Sequence, residues 1–244
     1  MNLKGRHILI TGAAKRIGRA LALSLATEKA RLTVHYQTSR EDAERVCQRA
    51  KQSGSDAIYI QADLAKLSQI TQAVGDAVNH FGPVEILINS ASIFHPSDAL
   101  TVTVEEWDRF QDINVRGQYL FAREVAKHLL PTRGQGVILN LADVHGERPV
   151  RKFLPYTISK AGLLLMTRAL AKEWGPDIRV NSISPGAVLL PDHYTEEEKL
   201  RSIDRSLLGR LGTPEDIVNA ARFLIENDYI TGFDLKVDGG RSLV

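Results

Sequence analysis

Seven runs of five or six residues, at 7–11, 31–36, 56–61, 85–89, 137–141, 178–183 and 233–237, are rich in apolar and β-branched residues and predict strands. Between them the apolar positions take the helical period, at 20–26, 40–53, 66–80, from the 103–106 segment to 130, and at 156–174. Local punctuation fits this division. Thr103 with Glu106 and Thr195 with Glu198 read as capping boxes, and Thr213 before Pro214 as the cap of a further helix. Strands alternating with helices roughly every 25 residues imply a parallel sheet covered on both faces, here a doubly wound seven-stranded α/β domain. No linker or repeat interrupts it, so 1–244 reads as one domain. Asn114 sits badly, since it is a poor helix former inside the 103–130 helix. The long irregular stretch 187–211 follows the sixth strand at the ligand end of such a sheet and is expected to form a substrate lid.

The first strand ends in Gly12, followed by Ala13, Ala14, Lys15, Arg16, Ile17 and Gly18 and then a helix. Strand, glycine turn and helix open a nucleotide-binding unit, because small residues let backbone N–H groups approach a pyrophosphate and the helix N-terminus stabilises its charge. The second strand ends in His35 and Tyr36, with Gln37, Thr38, Ser39 and Arg40 after it. A site selecting NAD presents an acidic residue here to the ribose 2′-OH, and none is present. Ser39 and Arg40, with Lys15 and Arg16, suit a 2′-phosphate instead, since arginine makes charge-assisted bonds to phosphate oxygens. Ser39 also reads as the N-cap of the helix that follows, with Asp42 at its third position, and both roles are compatible.

Asp143 closes the fifth strand, and Tyr156 and Lys160 follow at helical i, i+4 spacing. A lysine ammonium beside a phenol favours the phenolate and should lower the tyrosine pKa, making it a proton donor and acceptor near neutrality. Tyr-x-x-x-Lys is a weak signal by itself, so its surroundings carry the argument.

Composition narrows the class. With 43% hydrophobic and 25% charged residues and a net charge of +2, nothing marks a nucleic-acid surface. Cys47 is the single cysteine, so no intrachain disulfide forms, and its helical context reads as structural. No apolar run approaches the roughly 18 residues of a membrane helix, and no signal-peptide layout precedes the first strand. A cytoplasmic location with no membrane partner is expected. The seven histidines show no ligand spacing, so no metal is expected.

Thr11-Gly12 through Gly18, Asp63, Asn89 with Ala91, Asn114, Tyr156 with Lys160, and Pro185-Gly186 together resemble the short-chain dehydrogenase/reductase family, over essentially the whole chain. The resemblance implies a Rossmann sheet of strand order 3-2-1-4-5-6-7. It implies that Asp63, beside Leu64, contacts the adenine, that Asn89 stabilises the central strands, and that Pro185 and Gly186 line the nicotinamide. Tyr156 would be the acid/base, Lys160 would hold the nicotinamide ribose, and Asn114 would position a proton-relay water. Family members commonly pair the helices corresponding to 105–130 and 156–174 between subunits, so a homotetramer is expected.

Four departures sharpen the resemblance toward the pteridine reductase branch: Arg16 inside the glycine turn, Ala91-Ser92 with Phe94 after the fourth strand, His35-Tyr36 with Ser39 after the second, and Asp143 where a serine is usual. In that branch the arginine reaches cofactor phosphate and pterin, and the serine and phenylalanine bond and stack the pterin. Core packing is the plainer reading of Phe94. The implied substrate-binding set is Arg16, Ser92, Phe94, Asp143 and Tyr156. The expected activity is NADPH-dependent reduction of dihydropterins, with biopterin-like pterins, dihydromonapterin and dihydrofolate as candidates. The alternatives are a carbonyl reductase such as a 3-oxoacyl-carrier-protein reductase, against which Arg16 and Asp143 argue, and a non-catalytic NADPH-sensing module, against which Asn114, Tyr156 and Lys160 argue.

Overall fold

The computed structural model describes residues 1–190 and 194–244. Its strands are β1 His7–Ile10, β2 Arg31–Tyr36, β3 Asp56–Gln61, β4 Ile86–Asn89, β5 Gly136–Leu141, β6 Ile178–Pro185 and β7 Asp234–Val237. The helices are α1 Arg16–Ala26, α2 Arg40–Gln52, α3 Leu67–Phe81, α4 Val104–Gln111, α5 Gly117–Leu129, α6 Leu154–Trp174, α7 Glu196–Asp204 and α8 Pro214–Glu226. All strands are parallel, in the order β3-β2-β1-β4-β5-β6-β7. The order reverses between β1 and β4, and the crevice beyond their carboxyl ends is where such sheets bind ligands.

The period-2 alternation of the strands divides the interior into two layers. Ile8, Ile10, Ile86, Ile88, Val137 and Leu139 face one side, where Leu21 and Leu25 of α1, Val46 of α2 and Leu224 of α8 cover them. Leu9, Leu87 and Ile138 face the other, under Ile70 of α3, Phe121 and Val125 of α5 and Leu170 of α6. Both faces being covered explains why the strands read as continuous apolar runs.

The expected long helix from 103 to 130 is interrupted. A π turn, Asp112–Arg116, separates α4 from α5, with Asn114 at its centre. A π turn inserts a residue into the helical ladder and re-aims the side chains around it, so the polar residue that looked misplaced marks the break. The capping predictions divide. Thr195–Glu198 forms both bonds of its box, and Thr213 does so with Asp216. Thr103 accepts from the N–H of Glu106, but the Glu106 carboxylate goes instead to the Ser97 hydroxyl at 2.6 Å. Ser39 stands at the head of α2 without a side-chain capping bond, and Asp42 pairs with Arg45 and Lys15. Within the expected lid, 187–190 and 194–211 are described, whereas 191–193 lie outside the described residues.

Candidate active site

A cavity of about 470 Å³ opens at the carboxyl ends of the central strands. At one end lies the glycine turn. Gly12 has φ +64°, and a Cβ there would come within 2.9 Å of the Ala91 backbone, so the close approach of β1 to the β4 loop needs glycine. The Thr11 hydroxyl fastens that approach by accepting the N–H groups of Ser90 at 2.9 Å and Ala91 at 3.0 Å. Arg16 takes φ +52°, a strained value for a residue with a side chain. Its guanidinium donates to the carbonyl of Leu189 in the lid segment. Ile17 and Gly18, in the first turn of α1, line the cavity.

His35 lies just below this turn, 1% exposed. Its Nδ1 accepts the Gly12 N–H at 3.1 Å and its Nε2 donates to the carbonyl of Ala62 at 3.0 Å. Both ring nitrogens are therefore used inside the protein, in one neutral tautomer. Burial pulls its pKa down to about 4. The ring wall of the cavity is thus a support for the backbone that would meet a cofactor. Asp63 and Leu64 continue the wall, and one Asp63 carboxylate oxygen accepts the N–H of Ala65 at 3.0 Å.

At the other end the Tyr156 hydroxyl donates to Asp143 Oδ2 at 2.6 Å. The other oxygen of Asp143 accepts the N–H of His145 at 2.8 Å, which fixes the carboxyl against the strand end. Burial, followed by the adjacent Asp143 charge, pushes Tyr156 well above its usual 10. The expected lowering by Lys160 is not found. Lys160 Nζ lies 5.7 Å from the ring centroid and donates to the carbonyl of Leu141 at 2.7 Å. Its own pKa is lowered to about 8 by burial. The chain holds Tyr156 as a protonated donor bonded to a carboxylate, the reverse of the phenolate that the Tyr-Lys spacing alone suggests.

Asn114 ties three segments together. Its Oδ1 accepts from the Ser92 hydroxyl at 3.0 Å and the Ile93 N–H at 2.9 Å, and its Nδ2 donates to the Ile93 carbonyl at 3.1 Å and the Ser159 hydroxyl at 3.0 Å. All four hydrogen-bonding positions of the amide are engaged by protein, so here the side chain clamps the β4 loop to α6. Ser92 reaches the cavity with its hydroxyl committed to that clamp. Phe94 is 45% exposed and is not a core residue. One face stacks on Phe153, with centroids 4.8 Å apart, and it meets Tyr156 edge-to-face at 4.8 Å.

Arg16, Ile17, Gly18, Gly12, His35, Asp63, Leu64, Ala91, Ser92, Phe94, Asp143, Tyr156, Lys160, Pro185 and Gly186 are brought to the cavity. Asn89 is not; 1% exposed, it ties β4 to Asn140 of β5 at 2.9 Å and to the Gln118 carbonyl at 3.3 Å. Tyr36 packs against Tyr59 below the surface. Ser39 and Arg40 stand beyond the wall, with Arg40 on Glu44 at 2.9 Å. Sequence reasoning missed Gln37, Tyr194, Ser202 and Arg241, which line the cavity, and Phe153, which backs Phe94. Phe153 alone carried a signal, an aromatic three residues before the tyrosine. Among the described residues no cluster of three or more His, Cys, Asp or Glu could hold a metal ion, and no helix is long and apolar enough to cross a membrane.

The family model described as enoyl-(acyl carrier protein) reductase matches residues 12–242. The chain is 34% identical to 3beta-hydroxysteroid dehydrogenase 1 of Eggerthella lenta, over 99% of this chain and 95% of that protein. It is 32% identical to glucose 1-dehydrogenase 2 of Bacillus subtilis, over 99% and 96% respectively. It belongs to the short-chain dehydrogenase/reductase family. Among solved structures, FolM alternative dihydrofolate reductase 1 from Brucella canis, complexed with NADP, is similar with a TM-score of 0.92 at 30% identity, covering 100% of this chain and 97% of that one.

A short-chain dehydrogenase/reductase transfers hydride with a nicotinamide cofactor, and the residues present fit one. The glycine turn leaves no room for a side chain at Gly12, and the first turn of α1 presents backbone N–H groups to the cavity where a pyrophosphate would bind. Steroid, glucose and dihydrofolate names among relatives of nearly equal identity mean that the family fixes the reaction type, while the substrate must be argued from the site.

Proposed function

We propose that this short-chain reductase uses NADPH to reduce a dihydropterin ring. The observation that carries the reading is the bond from Tyr156 to the Asp143 carboxylate, 2.6 Å long, at the edge of the partly exposed Phe94 ring. When bound, the nicotinamide supplies a hydride to a ring carbon. The chain's residues supply the rest. Burial keeps Tyr156 protonated, and it passes that proton to the ring nitrogen beside the reduced carbon. Asp143 accepts from Tyr156 and offers a carboxylate face to the N–H donors of an aminopyrimidine. Phe94 offers its uncovered face to a flat ring, its other face being held by Phe153. Lys160, fixed on the Leu141 carbonyl in the cavity wall, would hold the nicotinamide ribose. NADP in the FolM structure from Brucella canis and the dihydrofolate reductase in its name support the same reading.

The reading includes a homotetramer. Ile158 and Leu165 leave 45% and 61% of their surfaces exposed on α6, and Leu243 at the carboxyl terminus leaves 79%. We read these exposed apolar positions as contacts for other subunits; a monomer mass by light scattering at micromolar concentration would remove that part of the proposal.

The functional test is NADPH oxidation with 7,8-dihydrobiopterin, 7,8-dihydromonapterin and 7,8-dihydrofolate alongside a 3-oxoacyl thioester and a quinone. Turnover of pterins at a higher kcat/KM than the thioester is expected. Reduction of the thioester alone would assign the chain to carbonyl chemistry.

A further inference from the structure

Arg241 has no part in hydride or proton transfer, yet it lies in the wall of the active-site cavity, in the short turn Arg241–Leu243 that ends the chain. It also lines a second cavity of about 430 Å³, and the two share Gly186, Ala187, Ser202 and Arg241. The side chain is half-buried at that junction. One guanidinium nitrogen donates to the Ser202 carbonyl at 3.2 Å, and Arg148 holds the Arg241 carbonyl at 3.2 Å from outside.

No carboxylate among the described residues forms an ion pair with Arg241. The charges of Asp143, Tyr194 and Asp238 act in its favour, but both carboxylates hydrogen-bond other groups. Asp143 binds Tyr156 and the His145 N–H, and Asp238 accepts the N–H groups of Gly240 at 3.0 Å and Ser242 at 2.7 Å. Arg205, just past the end of α7, is the cation whose charge acts against Arg241. Burial, then Arg205, pull the Arg241 guanidinium below its usual value. A partly desolvated cation beside another cation costs free energy until an anion joins it. Arginine meets that demand well, since its planar fork binds carboxylates through two parallel bonds.

We propose that Arg241, where the two cavities meet, is an anion subsite for a carboxylate-bearing substituent of the substrate. The identity of the ring rests on the pterin reading above; the subsite itself does not. A ring seated by Tyr156 and Phe94 would send its substituent past Arg241 toward the second cavity. The preferred substrate is then a pterin with a glutamyl tail over one with a neutral side chain.

Two measurements on the NADP-loaded full chain test this. First, kcat/KM is compared for 7,8-dihydrofolate and 7,8-dihydrobiopterin in the wild type, Arg241→Ala and Arg241→Lys. Arg241→Ala is expected to lower the dihydrofolate-to-dihydrobiopterin ratio at least tenfold, through KM, with Arg241→Lys recovering part of it. A ratio within twofold of wild type in Arg241→Ala overturns the subsite and leaves Arg241 as a brace for α7. Second, p-aminobenzoyl-glutamate, which has the tail without the pterin ring, is titrated calorimetrically. Binding weakened at least tenfold by Arg241→Ala supports the subsite even where neither pterin turns over, an outcome that would sink only the pterin reading. Equal or absent binding to both proteins overturns it.

Discussion

His35 accepts the backbone N–H of Gly12 at 3.1 Å while donating to the Ala62 carbonyl at 3.0 Å, so one imidazole joins the glycine turn to the loop that carries Asp63. Leucine at this position would fill the space and leave both backbone groups unpaired, at about 1–3 kcal/mol each. His35→Leu is expected to raise KM for NADPH about tenfold, with KM for the substrate moving much less. The pH dependence has a definite sign. An unfolded histidine titrates near 6.5, whereas His35 and the buried His7 are each held at about 4. Below 6.5 the unfolded chain takes up protons that the native chain refuses, so stability is complete above that pH and declines toward 4. Each imidazole accounts for about 2 kcal/mol between pH 6.5 and 5. Urea midpoints of the wild type at the two pH values should show the loss, and His35→Leu should show about half of it.

The strands and the spacing of residues around Tyr156 were legible because each depends on local pattern, whereas the strand order came from the family resemblance. Ile8, Ile10 and Leu9 alternate between two cores, and that alternation reads directly as a strand buried on both faces. What was not legible depends on pairings across the fold. Asp143 was expected beside the Tyr156 hydroxyl and is there, but Lys160, the tyrosine's neighbour in helical spacing, turns to a strand carbonyl. Asn114 was correctly marked as foreign to a helix, while the π turn and its four partners required the third dimension. Arg241 was unreadable as a site residue, since nothing in its sequence neighbourhood places it opposite Ser202.

The charge on Asp143 is what distinguishes it from a hydroxyl partner for Tyr156. Asp143→Asn keeps an acceptor near the phenol and removes the charge. Under the proposed chemistry Tyr156 must hold a transferable proton, so kcat should decline as pH rises far enough to ionise it. Asp143→Asn is expected to lower kcat about 100-fold, in the range of general acid catalysis, and to flatten the profile. Tyr156→Phe should nearly abolish turnover while NADPH binding, followed by fluorescence, stays within twofold. Coincident kcat–pH curves for wild type and Asp143→Asn would reduce Asp143 to a structural carboxylate.

Cofactor choice rests on cations that are already partly engaged. Lys15 lies 3.3 Å from Asp42, and Arg40 contacts Glu44 at 2.9 Å and the Tyr59 hydroxyl at 3.5 Å. The Ser39 hydroxyl, which does not cap α2, remains available to a 2′-phosphate. A preference for NADPH over NADH of at least tenfold in kcat/KM is expected. Arg40→Ala should reduce the NADPH value and leave NADH unchanged. Glu44→Gln frees Arg40 from a competing carboxylate and should improve NADPH by about twofold, the scale of an exposed ion pair. Equal kcat/KM for the two cofactors would defeat this reading.

Lys160 is expected to cost the fold what it contributes to the reaction. It is 3% exposed, and its ammonium has one carbonyl partner, Leu141, and no ion pair among the described residues. Burial brings its pKa from 10.5 to about 8. Between pH 8 and 10.5 the unfolded chain therefore holds a proton that the native chain lacks, and stability rises with pH through that window. Below pH 8 the amine is charged in both states and the burial cost is present in full, about 3 kcal/mol. Lys160→Met removes that cost and fills the same space, but leaves the Leu141 carbonyl without its donor, at about 1 kcal/mol or more. The difference favours the variant at pH 7. For a chain of this length, each kcal/mol shifts Tm by about 2–4 °C, so cofactor-free Lys160→Met should melt a few degrees above the wild type at pH 7. The advantage should vanish as the pH approaches 10.5, and turnover should fall at least 100-fold throughout. A lower Tm than wild type at pH 7 would mean that the ammonium is stabilised by its surroundings, and the trade of stability for activity at Lys160 would be wrong.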